Sequence, residues 1–426
     1  MDLIVRNATL PDGRTGLDIA CEGGRIVAVE RGIGAEAARI IDASGLLVTP
    51  PFVDCHFHMD STLTLGRPRL NRSGTLLEGI ALWGELRPTL THDEMVERAL
   101  RYCDLAVAQG LLAIRSHVDV TDANLTGVGA LLDVRERVAD YLDLQLVAFP
   151  QDGLYRAEGA ERNLLRALDM GVGIVGGIPH GERTLEDGRR SVVRLTEIAD
   201  ERGLMVDMHC DETDDPHSRH IETLTAETHA RGMGGRVAGS HLTSMHSMDN
   251  YYASKLIGLM AEAGVGAIAN PLINITLSGR HDSYPKRRGL TRVAELRAAG
   301  VPVAWGHDCV MDPWYPLGKA DMLEVASMGL HVAMTTTPDG MREAFDAVTA
   351  TPASVMGLEG YGLEPGCRAD MVLLQASDPV EAIRLKPARL HVIRGGREIA
   401  SAPPAVSSLR LDGRPGEVDA SMALPG

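Results

Sequence analysis

Short apolar runs recur through the middle of the chain, separated by segments long enough for a helix. In order they are PFVDCHFH (51–58), LLAIRSHVDV (111–120), LQLVAFPQ (144–151), VGIVGGIPH (172–180), LMVDMHCDE (204–212), RVAGSH (236–241), GAIANPLIN (266–274) and VPVAWGHD (301–308). Intervening stretches such as RSVVRLTEIADERG place apolar residues at helical spacing and end in glycine. Nearly continuous apolar runs are typical of buried parallel strands, so the pattern predicts a (β/α)8 TIM barrel over residues 50–358. A doubly wound open sheet is the alternative, but no G-x-G-x-x-G turn follows these runs.

The two ends of the chain have a different rhythm. Short runs broken by glycine, such as LDIACEGGRIVAVE near the start and LHVIRGGREIA near the end, are typical of short antiparallel strands. We therefore expect residues 1–49 and 359–426 to pair in a small β-sandwich domain, which the barrel interrupts.

Composition narrows the class of partner. The net charge of -16 argues against nucleic acid or an anionic membrane surface, because polyanions need a basic face, and it favours a small-molecule ligand. No stretch approaches the roughly 18 consecutive apolar residues of a membrane span. The start, MDLIVRNATL, lacks the basic region and apolar core of a signal peptide, and the six cysteines are scattered without a C-x-x-C pair. These features predict a cytoplasmic protein.

Polar residues stand where the apolar runs end. In a barrel the carboxyl ends of the strands converge on one face, where active sites are built. In the first run His56 and His58 lie two residues apart, so on a strand both imidazoles face the same side and can point at one ion. Three later runs end in His209 with Glu212, in His241 and in Asp308. Buried ionisable groups are expensive unless they are paired or bind metal, so the set indicates a functional site.

The order of these residues resembles the amidohydrolase superfamily, and several longer motifs are similar to bacterial cytosine deaminases. The similar segments, between about residues 50 and 360, are SGTLLEGIALW, LTHDEMVERA, VAFPQDG, HCDETDD, SHLTSMHS, ANPLINITLSGRHDSYPKRRGLTRV and GHDCVMDPWYPLG. The resemblance implies hydrolytic deamination of a free pyrimidine base.

The resemblance also implies a metal centre. Its ligands would be His56, His58, His209 and Asp308, holding one divalent transition metal ion, Fe2+ or Zn2+, with a bound hydroxide. Binuclear relatives bridge two ions with a carboxylated lysine at a mid-barrel strand end. The first of the four lysines in this chain is Lys255, beyond those strands, so a single ion is expected.

Roles for the remaining site residues follow from the same resemblance. Asp308 would accept the proton of the attacking water, Glu212 would carry a proton to the ring nitrogen, and His241 would steady the developing oxyanion. Gln151 would read the carbonyl and adjacent N–H of the base, since an amide both donates and accepts. Trp314 would pack over the base.

Other polar residues are given supporting or structural roles. His117 and Asp119 are predicted to hydrogen-bond around the site, with pocket lining as the alternative. For His180 both roles are possible from sequence. Asp211 is interpreted as part of a solvated loop, with support of the strand ligands as the alternative. His220 is interpreted as solvated or structural.

Cys309 is where the chain departs from its relatives, which carry a second aspartate in an H-D-D sequence. As the neighbour of Asp308 on a strand end, its side chain is expected to point away from the ion and to line the pocket. A thiol is smaller than a carboxylate and uncharged, so it would leave room for a substituent at C5 of the base. We therefore predict that 5-methylcytosine is a good and even preferred substrate, converted to thymine; the alternative is that cytosine is still preferred.

Two further functions stay open from sequence. The same machinery could act on another heterocycle, such as isocytosine, creatinine, an aminotriazine or a cyclic amide. The second possible function is that of a non-catalytic scaffold with an amidohydrolase fold. Such proteins typically lose metal ligands, whereas every ligand position is filled in this sequence. A homo-oligomer is expected from the resemblance.

Overall fold

The computed structural model describes residues 1–418 and 420. In chain order its strands are β1 (Leu3–Thr9), β2 (Thr15–Glu22), β3 (Arg25–Glu30), β4 (Arg39–Asp42), β5 (Leu47–Thr49), β6 (Phe52–Phe57), β7 (Leu111–Asp119), β8 (Asp143–Phe149), β9 (Ile174–Gly177), β10 (Met205–Cys210), β11 (Val237–His241), β12 (Gly266–Ala269), β13 (Val303–Trp305), β14 (Met371–Leu374), β15 (Arg389–Arg394), β16 (Arg397–Ser401), β17 (Ser407–Ser408) and β18 (Glu417–Val418). The α-helices are α1 (Leu76–Leu86), α2 (His92–Ala108), α3 (Thr126–Val138), α4 (Ala160–Asp169), α5 (Leu185–Glu201), α6 (His220–Ala230), α7 (Asn250–Ala263), α8 (Pro271–Leu277), α9 (Val293–Ala298), α10 (Met322–Ala333), α11 (Pro338–Asp346), α12 (Ala350–Val355) and α13 (Pro379–Leu385).

Strands from both ends of the chain form one sheet. Its order is β16-β15-β14-β5-β1-β2-β3, with β4 on β1. The two chain ends join where β5 pairs with β14 in antiparallel fashion, and β4 and β5 run parallel to β1. This confirms a small β domain built from both termini. Its exact boundaries stay a prediction, and residues 419 and 421–426 of the predicted segment lie outside the described residues.

The eight predicted barrel runs all contain strands. Strands β6 to β13 are parallel and neighbour one another in sequence order. The barrel closes beside Asp308, whose N–H donates to His56 O at 2.8 Å and whose carbonyl accepts from His58 N at 3.0 Å. Helices separate successive strands and cover the outside, so the (β/α)8 prediction is confirmed. Closure therefore brings β6 and the segment after β13 into direct contact at the carboxyl ends of the strands.

The helices follow from local capping and periodicity. Helix α5 starts after Thr184, whose side chain accepts a hydrogen bond from Asp187 N, and it buries Val192 and Leu195 on one face. Across the described part of the chain, no helix combines the length and apolarity needed to cross a bilayer.

Several barrel strands end in left-handed backbone. Positive φ angles occur at Asp211 (55°), His241 (71°), Leu242 (51°) and Asp308 (70°). Non-glycine residues avoid this region unless their surroundings hold them there, and such strain concentrates at functional sites. The turns redirect side chains that regular strand geometry would send elsewhere.

Candidate active site

A cavity of about 340 Å³ opens at the carboxyl ends of the barrel strands. Every site residue predicted from sequence lines it except His56, which lies fully buried next to it. Apolar side chains complete the wall, namely Leu76, Ile178, Ile273 and Leu277.

Four histidines crowd the floor of the cavity. The ligand-capable atoms of His56, His58, His117 and His209 lie within 4.8 Å of one another, as do those of His56, His209, His241 and Asp308. His58 Nε2 faces His209 Nε2 at 2.9 Å. Two imidazole nitrogens this close together could bind the same ion.

Burial sets the charge of these rings. Desolvation lowers the pKa of His56, His58, His209 and His241 well below the ordinary value of 6.5. Neutral imidazoles offer a lone pair, which is the form that binds metal. Among the described residues, the buried Nε2 of His56 has no hydrogen-bond partner, so this nitrogen is available to an ion.

Two carboxyl groups flank the histidines. Asp308 Oδ1 lies 3.7 Å from His56 Nε2 and 3.5 Å from His58 Nε2, and it completes the predicted ligand set. Glu212 Oε1 lies 3.3 Å from His241 Nδ1. Burial raises the pKa of Glu212 to about 8, and burial together with the nearby Glu212 charge raises the pKa of Asp308. Glu212 can therefore hold and release a proton near neutral pH.

His241 is oriented by two asparagines, Asn270 and Asn274, which were not among the site residues predicted from sequence. Asn274 Oδ1 accepts from Asn270 N at 3.1 Å, which turns Asn274 Nδ2 toward His241 Nδ1 at 2.9 Å. The Nδ1 atom of His241 then accepts, so its proton is on Nε2, 3.6 Å from Asp308 Oδ2. Their position in GAIANPLIN, a run ending in amides, was the available signal.

Gln151, Cys309 and Trp314 also line the cavity. Gln151 follows β8, and its side chain is buried at the cavity edge. Cys309 Sγ lies 3.5 Å from Asp308 Oδ1, so the thiol is close to the predicted ligand oxygen, whereas the sequence predicted that it would point away from the ion. Strand β13 ends at Trp305 and Asp308 is left-handed, so alternation no longer applies at Cys309. As predicted, Cys309 lines the pocket.

The interpretation of Asp211 as a solvated loop residue is wrong. Its carboxylate is fully buried and lies 2.7 Å from His220 Nδ1, while Ser218 Oγ donates to it at 2.6 Å. The bonds from His220 and other donors lower the Asp211 pKa despite burial. Asp211 thereby holds the start of α6 against the end of β10, which is the supporting role given as the alternative.

The remaining polar residues also have definite places. His117 lies beside His56 within the histidine cluster, with ring centroids 4.3 Å apart and ring planes tilted by 43°. The prediction that His117 hydrogen-bonds around the site is wrong, because neither of its ring nitrogens has a hydrogen-bond partner among the described residues. Asp119 accepts from Trp83 Nε1 at 2.9 Å and from Arg87, so it anchors α1 to the end of β7. His180 lies beside a second cavity next to the first, and Glu212 lines both.

Comparison with known proteins places this geometry in context. The protein-family model described as "Amidohydrolase family" matches residues 39–414 of this chain. Crystal structures of 5-methylcytosine deaminase from Klebsiella pneumoniae, liganded with phosphonocytosine and with 5-fluorocytosine, have TM-scores of 0.93 and 40% sequence identity. They cover 95% and 96% of this chain and 100% of their own chains.

More distant similarity extends over the same length. N-isopropylammelide isopropyl amidohydrolase from Pseudomonas sp. (strain ADP) is 30% identical over 93% of this chain and 97% of its own length. The crystal structure of N-isopropylammelide isopropylaminohydrolase from Burkholderia multivorans is 30% identical, with a TM-score of 0.82 and coverage of 94% and 99%.

Proposed function

This chain belongs to the amidohydrolase family, and from that membership we propose that it deaminates a free cytosine-type pyrimidine base by hydrolysis. The reaction converts 5-methylcytosine to thymine and ammonia, and cytosine to uracil and ammonia. The observation that carries this proposal is the similarity over nearly the whole chain to 5-methylcytosine deaminase from Klebsiella pneumoniae. The cavity lined by the predicted ligands, by Glu212 and by Gln151 supports it.

The residues fit a single divalent transition metal ion. His56 Nε2 is an orphaned buried nitrogen, and His58 Nε2 and His209 Nε2 face each other at 2.9 Å. With Asp308 they form a set of three nitrogens and one carboxylate oxygen, which suits Fe2+ or Zn2+. When bound, the ion lowers the pKa of a water molecule so that it can act as nucleophile at neutral pH.

Three side chains move or hold protons around the reacting carbon. Glu212, protonated at neutral pH because its pKa is raised to about 8, donates to the ring nitrogen beside that carbon and regains a proton from the hydroxyl group of the adduct as the carbonyl forms. Asp308 accepts the proton of the attacking water and returns one to the departing ammonia. His241, with its proton on Nε2, donates a hydrogen bond to the developing oxyanion.

The wall residues select the base. Gln151 donates to the carbonyl of the ring and accepts from the neighbouring N–H. Trp314 covers one face of the ring. Cys309 lies beside C5, where its small uncharged thiol admits a methyl group, and burying that methyl contributes about 0.8 kcal/mol.

Ammonia release from a panel of bases tests the function. The protein, loaded separately with Fe2+ or Zn2+, is given cytosine, 5-methylcytosine, isocytosine, creatinine and an aminotriazine. We expect turnover of the two cytosines, loss of turnover on chelation, and its return when metal is restored. Absence of turnover with every pyrimidine would overturn the proposal, and turnover of the triazine alone would replace the substrate class.

We further infer a cytoplasmic homo-oligomer. All six cysteines are free and five are buried, in keeping with a reducing compartment. Sedimentation analysis of the metal-loaded protein tests the oligomeric state, and a monomer at micromolar concentration would contradict it.

A further inference from the structure

A chain of hydrogen bonds runs through the barrel interior beneath the histidine cluster. Ser240 Oγ lies 2.9 Å from His56 Nδ1 and donates to Asp207 Oδ1 at 2.6 Å. Arg115 NH1 donates to the other oxygen of Asp207 at 3.2 Å. All four side chains are fully buried. Nothing in the proposed chemistry uses Arg115, Asp207 or Ser240, so this polar set inside the barrel core needs another reason.

At the other end of this series of hydrogen bonds, Arg115 is also held in place. Arg115 Nε donates to Gln145 Oε1 at 3.0 Å, and Gln145 Nε2 donates to Met356 O at 2.9 Å. The guanidinium is thus held between strands β7, β8 and β10 and the end of α12. It gives Asp207 a charged partner that only donates, so Asp207 is left to accept on both oxygens.

The single proton of Ser240 decides the tautomer of His56. A hydroxyl has one proton, and Ser240 uses it toward Asp207, so its oxygen accepts from His56 Nδ1. His56 therefore carries its proton on Nδ1, and the lone pair of Nε2 points toward His58, His209 and Asp308. The partnerless state of Nε2 agrees with this assignment. In His209, by contrast, the outer nitrogen Nδ1 is buried without a hydrogen-bond partner.

We propose that Ser240 and Asp207 are positioning residues that fix the tautomer and ring orientation of His56 for metal binding, an inference that rests on the metal site of the proposed function. The bonded partner of a ligand histidine commonly changes metal affinity about 10- to 100-fold when it is lost. Here the carboxylate acts through an intervening hydroxyl, with Arg115 as its counter-charge. Removing the hydroxyl leaves the His56 ring free to turn and to exchange its proton.

The experiment compares Ser240→Ala with the unaltered protein, measuring the dissociation constant for Zn2+ by chelator competition. We expect about 10- to 100-fold weaker binding. Ser191→Ala is the matched control, because Ser191 is an equally buried serine whose hydroxyl bonds only to Gly188 O on α5, and its affinity should stay unchanged. Ser240→Thr keeps the hydroxyl and should keep the affinity within about threefold.

A spectroscopic readout separates positioning from packing. In the Co2+-loaded protein, the N–H proton of a ligand histidine gives a paramagnetically shifted proton resonance that disappears in D2O when it exchanges. We expect the His56 resonance to be protected in the unaltered protein and in Ser191→Ala, and to be lost through exchange in Ser240→Ala. Unchanged Zn2+ affinity together with a retained resonance in Ser240→Ala overturns the inference.

Neither readout involves a substrate, so the two proposals can fail separately. If Ser240→Ala binds Zn2+ weakly while no pyrimidine is turned over, the positioning role stands and the proposed substrate is wrong. If the unaltered protein binds no divalent metal, the positioning role is overturned as well.

Discussion

Gly79 on α1 lies directly against the indole of Trp314, so that a Cβ atom at Gly79 would stand 2.2 Å from Trp314 Cδ1. The absence of a side chain at Gly79 is therefore what allows Trp314 to occupy the cavity wall. Because Trp314 is also buried there, the helix and the loop after β13 are packed as one unit.

Gly79→Ala should displace Trp314 from the cavity and raise KM for the base more than it lowers kcat. The methyl group cannot be accommodated without moving the indole, which covers the substrate in our proposal. Gly84→Ala, on the same helix with nothing within 4 Å of the added Cβ, is the control and should leave both constants unchanged. Steady-state kinetics check this, and an unchanged KM in Gly79→Ala would show that Trp314 does not contact the base.

Glu212→Gln should reduce kcat by about 10²- to 10⁴-fold, because an amide cannot transfer a proton to the ring nitrogen. Metal content should not change, since Glu212 is not one of the proposed ligands. Glu201→Gln, at the exposed end of α5, is the control for the same chemical change. Retention of near-normal kcat in Glu212→Gln would remove Glu212 from the mechanism.

His307 should make the metal-free protein more sensitive to acid. Burial lowers the pKa of His307 from the ordinary 6.5 to about 4. As the pH falls below 6.5, His307 therefore binds a proton in the unfolded chain but not in the folded chain. The free energy of unfolding is therefore unaffected by this proton above pH 6.5. It decreases between pH 6.5 and pH 4, by up to about 1.4 kcal/mol per pH unit.

Urea unfolding of His307→Gln and the unaltered protein, each metal-free, measures this contribution. A glutamine can still donate to Cys309 O, which His307 Nδ1 contacts at 3.0 Å. The variant should gain stability relative to the unaltered protein as the pH falls from 6.5 to 4, whereas the exposed His229→Gln should not. A difference that does not vary with pH would contradict the assignment.

The barrel could be predicted from sequence because buried parallel strands are apolar along their whole length. Eight such runs, each followed by a helix, leave few alternatives, and the polar residues at their ends must then meet on one face. His56, His209, His241 and Asp308 were predictable in this way, and the structure brings them within a few ångströms of one another.

The parts that sequence did not reveal depend on local backbone and on distant pairing. The Cys309 side chain lies beside Asp308 because Asp308 is left-handed, which strand alternation does not anticipate. Asp211 is buried because His220 and Ser218, further along the chain, fold back onto it. Asp207 and Ser240 read as ordinary strand residues until the barrel places them opposite Arg115 and His56.

The most direct test of the account is the ratio of kcat/KM for 5-methylcytosine to that for cytosine, measured in the unaltered protein and in Cys309→Asp. We predict a ratio above one in the unaltered protein, because the thiol leaves room beside C5. Cys309→Asp should lower the ratio by at least tenfold, since a carboxylate would be desolvated against the methyl group. A preference for cytosine in the unaltered protein, or a ratio that Cys309→Asp leaves unchanged, would contradict it.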